Sequence, residues 1–189
     1  MIITLLKFVT QPILDLFFCF KNAIIKRSII FLPLRIDGKK NIYIGKHVSI
    51  SYKAWLAALP LTGKTVQLII NDYTIIGNFA HIYATKSIII GKNVLIADRV
   101  YISDNLHGYN DINIAIMKQP IVQKKSVSIG DDSWIGENVC IIGASIGKHC
   151  IVGANAVVTK DIPDYSVAVG NPAKVIKQYN SDNKCWEKI

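Results

Sequence analysis

From residue 44 onward an aliphatic residue returns at every sixth position, and that spacing limits the fold more than anything else in the sequence. The series runs Ile44, Ile50; Ile70, Ile76, Ile82; Ile90, Ile96, Ile102; and, after an interruption, Ile129, Ile135, Ile141 and Ile146, Val152, Val158. Six is even, so an extended chain puts every such residue on one side. A helix would need apolar spacings of three and four. Gly, Asn and Asp cluster behind the anchors, as in Gly77-Asn78, Gly91-Lys92-Asn93, Gly130-Asp131-Asp132 and Gly147. These residues tolerate positive φ and bend the chain. A small or β-branched residue often takes the fifth position, as at Val48, Ala54, Thr74, Ala80, Ser133, Cys150 and Ala156. A strand that bends once per six residues coils, and its anchors stack inward as a ladder. The pattern therefore predicts an all-β chain wound as a parallel β-helix. Composition agrees: 34 of 189 residues are Ile, and a β-branched excess favours strands.

The repeat covers residues 44–106 and 126–170, and its gaps are informative. Residues 51–67 break the period, which predicts irregular early coils or a small loop. Between the blocks, 107–125 leaves the period altogether, and an excursion from a regular solenoid is where function concentrates. Residues 1–40 form an N-terminal segment whose first 35 residues read as mostly helical. Residues 41–178 form the β-helix domain, and 179–189 a C-terminal tail.

The formal charge is +9, and it is unevenly placed. Residues 1–53 carry nine Lys and Arg against Asp15 and Asp37, while 54–170 are balanced. A basic end beside a neutral body suggests contact with a membrane surface or an anionic ligand. No helix-turn-helix, zinc-finger or RNP-like pattern is present, so a nucleic-acid partner is not expected. Cys19, Cys140, Cys150 and Cys185 lie far apart and read as reduced thiols. Lys7, Asp15 and Lys21 interrupt the apolar start, so a transmembrane helix is not expected there.

The motif of Ile or Val, Gly, two variable residues and a small residue, closed by Val158-Thr159-Lys160-Asp161-Ile162-Pro163 through Gly170-Asn171-Pro172-Ala173-Lys174, resembles the hexapeptide-repeat acyltransferases. Within them it is similar to the branch that acetylates sugars and small molecules, the maltose and galactoside acetyltransferases. The resemblance implies a left-handed winding, a homotrimer with active sites between subunits, acetyl-CoA as co-substrate and a saccharide acceptor. It also implies lipopolysaccharide or capsular polysaccharide synthesis in the cytoplasm, at or near the inner face of a bacterial membrane if the acceptor is lipid-linked.

By that resemblance His107, where the chain leaves the repeat in Ser103-Asp104-Asn105-Leu106-His107-Gly108, is the general base. Related sequences often carry a second His two residues earlier, where this chain has Asn105. A neutral imidazole suits the task because its ordinary pKa lies near physiological pH. Asp104 or Asn105 would orient the imidazole or bind the acceptor. Trp134, in Trp134-Ile135-Gly136, matches the family's aromatic and would line the acceptor groove or pack between subunits. Acetyl-CoA would lie along the later coils, against Gly136, Gly143, Ala154, Thr159 and Lys160. Lys174 and Lys177 would meet its phosphates.

The serious alternative is N-acetyl transfer to an amino sugar, since the same base would serve an amine. A zinc hydratase on this scaffold needs closely spaced His ligands. His47, His81, His107 and His149 include no close pair, so no metal is expected. A purely structural β-helix would leave the excursion and the closing motif without purpose. The apolar N-terminus, with Phe17, Phe18 and Phe20 beside Lys21, Lys26 and Arg27, would either cap the open solenoid or lie on an anionic membrane.

Overall fold

The computed structural model describes residues 2–63 and 65–189, with 2–9 and 11 described by their backbone alone. Met1, where the N-terminal segment begins, and Lys64, within the 51–67 interruption, lie outside the described residues. Short parallel strands wind into a left-handed β-helix with three walls. The first wall stacks Ile29–Ile30, Ser49–Ile50, Ile75–Ile76, Leu95–Ile96, Trp134–Ile135, Ile151–Val152 and Ser166–Val169. The second stacks Arg35–Asp37, Trp55–Ala58, His81–Ala84, Tyr101–Ser103, Cys140–Ile142 and Val157–Val158. The third stacks Ile42–Ile44, Gln67–Ile70, Ser87–Ile90 and Val127–Ile129, and bridges carry it on through Ile146 and Ile162.

The stacking follows the sequence period. All fourteen anchors are buried, and so are the fifth-position residues Val48, Ala54, Thr74, Ala80, Val94, Val100, Ser133, Val139, Cys150 and Ala156. Each coil thus adds one aliphatic layer to a continuous core, which is what repeat stacking requires.

The three edges of the prism differ. From first wall to second the anchors are always six residues apart, as in Ile50 to Leu56 and Ile135 to Ile141. From third wall to first they are again six apart, as in Ile44 to Ile50 and Ile129 to Ile135. From second wall to third the spacing varies freely: Ile36 to Ile44, Leu56 to Ile70, Ile82 to Ile90, Ile102 to Ile129, Ile141 to Ile146 and Val158 to Ile162. Residues 51–56 thus keep the period, and the insertions of the solenoid, including the part of 51–67 beyond the Trp55–Ala58 strand and the excursion, lie on that one edge.

Two details sharpen the sequence reading. First, the turn cluster does supply left-handed residues, among them Asn93, Asp132, Asn138 and Asn155, but the glycine directly behind the anchor is not one of them. Positive φ falls two positions later, at His47, Tyr73, Asn93, Asp132, His149 and Tyr165 on one regular edge, and at Lys53, Phe79, Arg99, Asn138 and Asn155 on the other. The glycine is needed because coils touch there: a Cβ on Gly130 would lie 2.4 Å from the Lys148 amide nitrogen, and one on Gly91 2.7 Å from that of Asp131. Second, the solenoid starts earlier than residue 41. Ile29–Ile30 and Arg35–Asp37 already pair with the second coil. The eight-residue corner between Ile36 and Ile44 hides this first coil from a search for sixes.

Carboxylates and amides reinforce the regular edges. Asp72 accepts from Lys46 N–H at 2.8 Å, Asp98 from Asn78 N–H at 2.7 Å, Asp131 from Lys92 N–H at 2.7 Å and Asp164 from Lys148 N–H at 2.9 Å. Hydrogen bonds from Asn78 hold the Asp98 carboxyl below the ordinary range.

Helix α1 (Ile2–Lys26) lies across the first coil, with Phe18 and Cys19 against the core. Burial, aided by Asp15, pushes the Cys19 thiol up to about 11, so it stays protonated. At the other end Lys174–Asn180 turns antiparallel onto Ser166–Val169, and Cys185–Lys188 pairs back on it. The segment 179–189 is therefore half of a hairpin rather than a loose tail.

Candidate active site

The excursion grows from a buried polar root. Asp104 is fully buried, and its carboxylate accepts from Thr85 N–H at 2.8 Å, Lys86 N–H at 2.7 Å, Ser87 N–H at 2.8 Å and the Thr85 hydroxyl at 2.8 Å. Gln123 Nε2 donates to the Asp104 carbonyl at 2.8 Å, and Gln123 Oε1 accepts from the Thr62 hydroxyl at 3.0 Å. Charge-assisted bonds of this kind are strong. Asp104 therefore anchors the excursion to the preceding coil, which corrects the expectation that it orients the imidazole or binds acceptor. Asn105 is likewise buried, donating to Asp104 Oδ1 at 3.2 Å and facing the Tyr83 carbonyl at 3.4 Å. It too is part of the root and not of a surface for acceptor.

From this root Asn105–His107 and Ile121–Gln123 form an antiparallel pair, with His107 opposite Ile121. His107 is exposed and makes no hydrogen bond among the described residues, so both ring nitrogens are open to a substrate. Gly108 follows because the return strand crosses closely: a Cβ there would lie 2.6 Å from the Pro120 carbonyl oxygen. Beyond it the loop exposes Tyr109, Ile112, Ile116 and Met117, with Ile112 at 95% and Met117 at 84%.

The other expected site residues fall into two sets. Gly143 and the exposed Thr159-Lys160 pair lie on the same variable edge as His107, one and two coils further on. Gly143 has φ +58° and lies under Lys124 of the returning strand. Lys125 pairs with Asp161 at 2.5 Å beside it, an exposed bridge that lowers the Asp161 carboxyl. Trp134 instead sits on the first wall, 49% exposed, in register with Leu95 and Ile75 on one side and Ile151 on the other. Gly136 and Ala154 stack on the regular edge beside that wall, where a Gly136 Cβ would lie 2.7 Å from the Ala154 amide nitrogen. The close approach at Gly136 is thus coil on coil. Lys174 is exposed and Lys177 half-buried on the strand that extends the first wall. Within one chain the second wall separates the two sets.

Sequence reasoning missed an aromatic stripe on that second wall. Trp55 stacks on His81 with centroids 4.2 Å apart, and Tyr83 and Tyr101 meet His81 edge-on. Trp55 Nε1 donates to Asp37 Oδ2 at 2.9 Å. His81 Nε2 is buried with no hydrogen-bond partner, and burial holds the imidazole below its ordinary value. The signal was available: Trp55, His81 and Tyr101 occupy equivalent repeat positions, each just before a buried Leu or Ile. Among the described residues no group of three His, Cys, Asp or Glu could hold a metal ion.

Comparison with known proteins accords with this architecture. Residues 126–160 match the family model described as the hexapeptide repeat of succinyl-transferase. WbbJ of Escherichia coli K12, assigned as a lipopolysaccharide biosynthesis O-acetyl transferase, is 38% identical over 62% of this chain and 64% of its own. Galactoside O-acetyltransferase of the same organism is 35% identical over 80% of this chain and 61% of its own. The crystal structure of a hexapeptide-repeat-containing acetyltransferase from Vibrio cholerae superimposes with a TM-score of 0.54 at 32% identity, covering 59% of this chain and 62% of that one. The chain spans less than two thirds of the length of each of these proteins.

Proposed function

We propose that this chain, a member of the hexapeptide-repeat acetyltransferase family, moves an acetyl group from acetyl-CoA to a saccharide hydroxyl in lipopolysaccharide or capsular polysaccharide synthesis. The observation that carries the reading is His107: an unpaired imidazole held outward on a hairpin whose root is clamped by Asp104. Its ring nitrogen takes the hydroxyl proton as the acceptor oxygen attacks the thioester carbonyl. A carbon–oxygen bond forms, the carbon–sulfur bond breaks, and the proton passes on to the departing CoA sulfur. Such proton transfer contributes about 10²–10⁴-fold, and fixing both substrates in one groove supplies much of the rest. A backbone N–H would stabilise the tetrahedral oxyanion.

The groove itself is formed by two copies. One chain brings His107, Gly143, Thr159 and Lys160, and its neighbour brings Trp134, Gly136, Ala154, Lys174 and Lys177, the two lysines toward the CoA phosphates. The outward row Ile75, Leu95 and Trp134 and the exposed Ile112 and Met117 supply apolar surface for such a contact, in a homotrimer.

Calorimetric titration with CoA and acetyl-CoA tests the reading first. Micromolar binding near one site per subunit supports it, and no binding overturns it. A panel of sugar and amino-sugar acceptors then separates oxygen from nitrogen transfer. Sedimentation velocity reads the trimer directly.

A further inference from the structure

Helix α1 is packed the wrong way round for a helix whose only role is to cover the solenoid. The side chains it buries against the first coil include Asp15 and Asn22, both 7% exposed. Asp15 pairs with Lys39 at 2.6 Å, and Asn22 Nδ2 donates to the Phe18 carbonyl at 2.9 Å. Among the described side chains of this helix, only Phe18 and Cys19 add partly buried apolar surface to the core. On the opposite side Ile13, Phe17, Phe20 and Ile24 follow one another at four, three and four residues, a single stripe along the helix. Each is 54–68% exposed. The apolar surface runs on past the helix through Ile29, Phe31 and Leu34, all more than half exposed.

What flanks the stripe indicates what it meets. Lys21, Arg27, Lys40, Lys46 and Lys53 are exposed at this end of the molecule. The two acidic residues before residue 54 are already engaged, Asp15 by Lys39 and Asp37 by Arg35. An apolar stripe adjoined in the chain by Lys21 and Arg27, at an end of the molecule rich in exposed cations, is the composition of a helix lying in the plane of an anionic bilayer surface. No helix of the described residues is long and apolar enough to cross a membrane, so the contact is in-plane.

We infer that α1 has two working faces: Asp15, Phe18, Cys19 and Asn22 close the first coil, and Ile13, Phe17, Phe20 and Ile24 seat the protein on an anionic lipid surface. The inference is independent of the acetyl-transfer reading, because none of these residues belongs to the groove.

Flotation of the full chain with phosphatidylglycerol-containing vesicles, and with phosphatidylcholine alone, tests it. The intact protein is expected to float with anionic vesicles and to be released as salt rises. Phe17→Ser with Phe20→Ser is expected to weaken that binding at least about tenfold while the melting temperature and CoA binding stay unchanged, since both rings stand in solvent. Lys21→Glu with Arg27→Glu is expected to weaken binding to anionic vesicles selectively. Failure of the intact chain to float, or equal flotation of the Phe variant, overturns the inference. If the Phe variant instead loses an assembled species in sedimentation with vesicle binding intact, the stripe belongs to a second copy of the chain and the inference falls.

Discussion

The two regular edges of the prism and the variable third edge are built from the same repeats and use the same carboxylate-to-amide bonds between coils, yet they put them to different ends. On the regular edges each turn is closed within the stack: Asp72, Asp98, Asp131 and Asp164 take amide hydrogens from the coil before, and glycines let the backbones touch. On the variable edge the chain can leave between Ile102 and Ile129 because both anchors still stack on neighbours above and below. The excursion therefore leaves the ladder without moving the anchors, and Asp104 there roots a hairpin as well as tying two coils together.

Five experiments would break or sharpen that contrast. The largest effect is expected from His107→Ala, a fall in kcat of about 10²–10⁴-fold with an unchanged melting temperature. Excising 109–118 should abolish turnover as fully while costing less than about 1 kcal/mol in a urea melt. Large destabilisation from that excision would mean the variable edge holds the fold together. Asp104→Ala comes next. It strands the amides of Thr85, Lys86 and Ser87, costing about 3 kcal/mol or more and lowering the melting temperature by about 6–12 °C, with loss of activity as the hairpin loosens.

On a regular edge Gly130→Ala forces a methyl to 2.4 Å from a backbone nitrogen and should cost about 1–3 kcal/mol by calorimetry. Met117→Ala, on the excursion, should stay within about 0.5 kcal/mol. Equal costs would erase the distinction between the edges. The smallest effect concerns pH. His81 is held below its ordinary value of 6.5 by burial, so the native chain stays neutral where the unfolded chain has already bound a proton. Stability is therefore lost as pH falls from about 6.5 toward the lowered native value, and levels off beneath it. His81→Phe should remove most of that slope in melts followed from pH 7.5 to about 5. An unchanged slope would move the effect to other groups.

Much of this was legible in the residues. The six-residue anchors and small fifth positions foretold the walls, because burial and period are both local properties. The first coil was not, since its eight-residue corner after Ile36 falls out of step. The glycines were legible as turn residues but not in their task, because contact between coils depends on winding. His107 was singled out by the family resemblance, at the point where the chain leaves the repeat. Asp104 was misjudged, since its partners at 85–87 come from the preceding coil and no spacing rule connects them. The separation of His107 from Trp134 by the second wall is equally invisible until the walls are wound.

The two ends of the solenoid carry a consequence of their own. A stack of like-directed strands ends in rungs that can each template another rung, so bare ends invite molecules to join tip to tail into fibres. Here the last wall strand is followed by one of opposite direction, Lys174–Asn180, which no longer presents the polarity an incoming first coil needs. At the other tip α1 lies across the first coil. At both ends of the described solenoid the first wall therefore presents no bare parallel rung for another copy to extend.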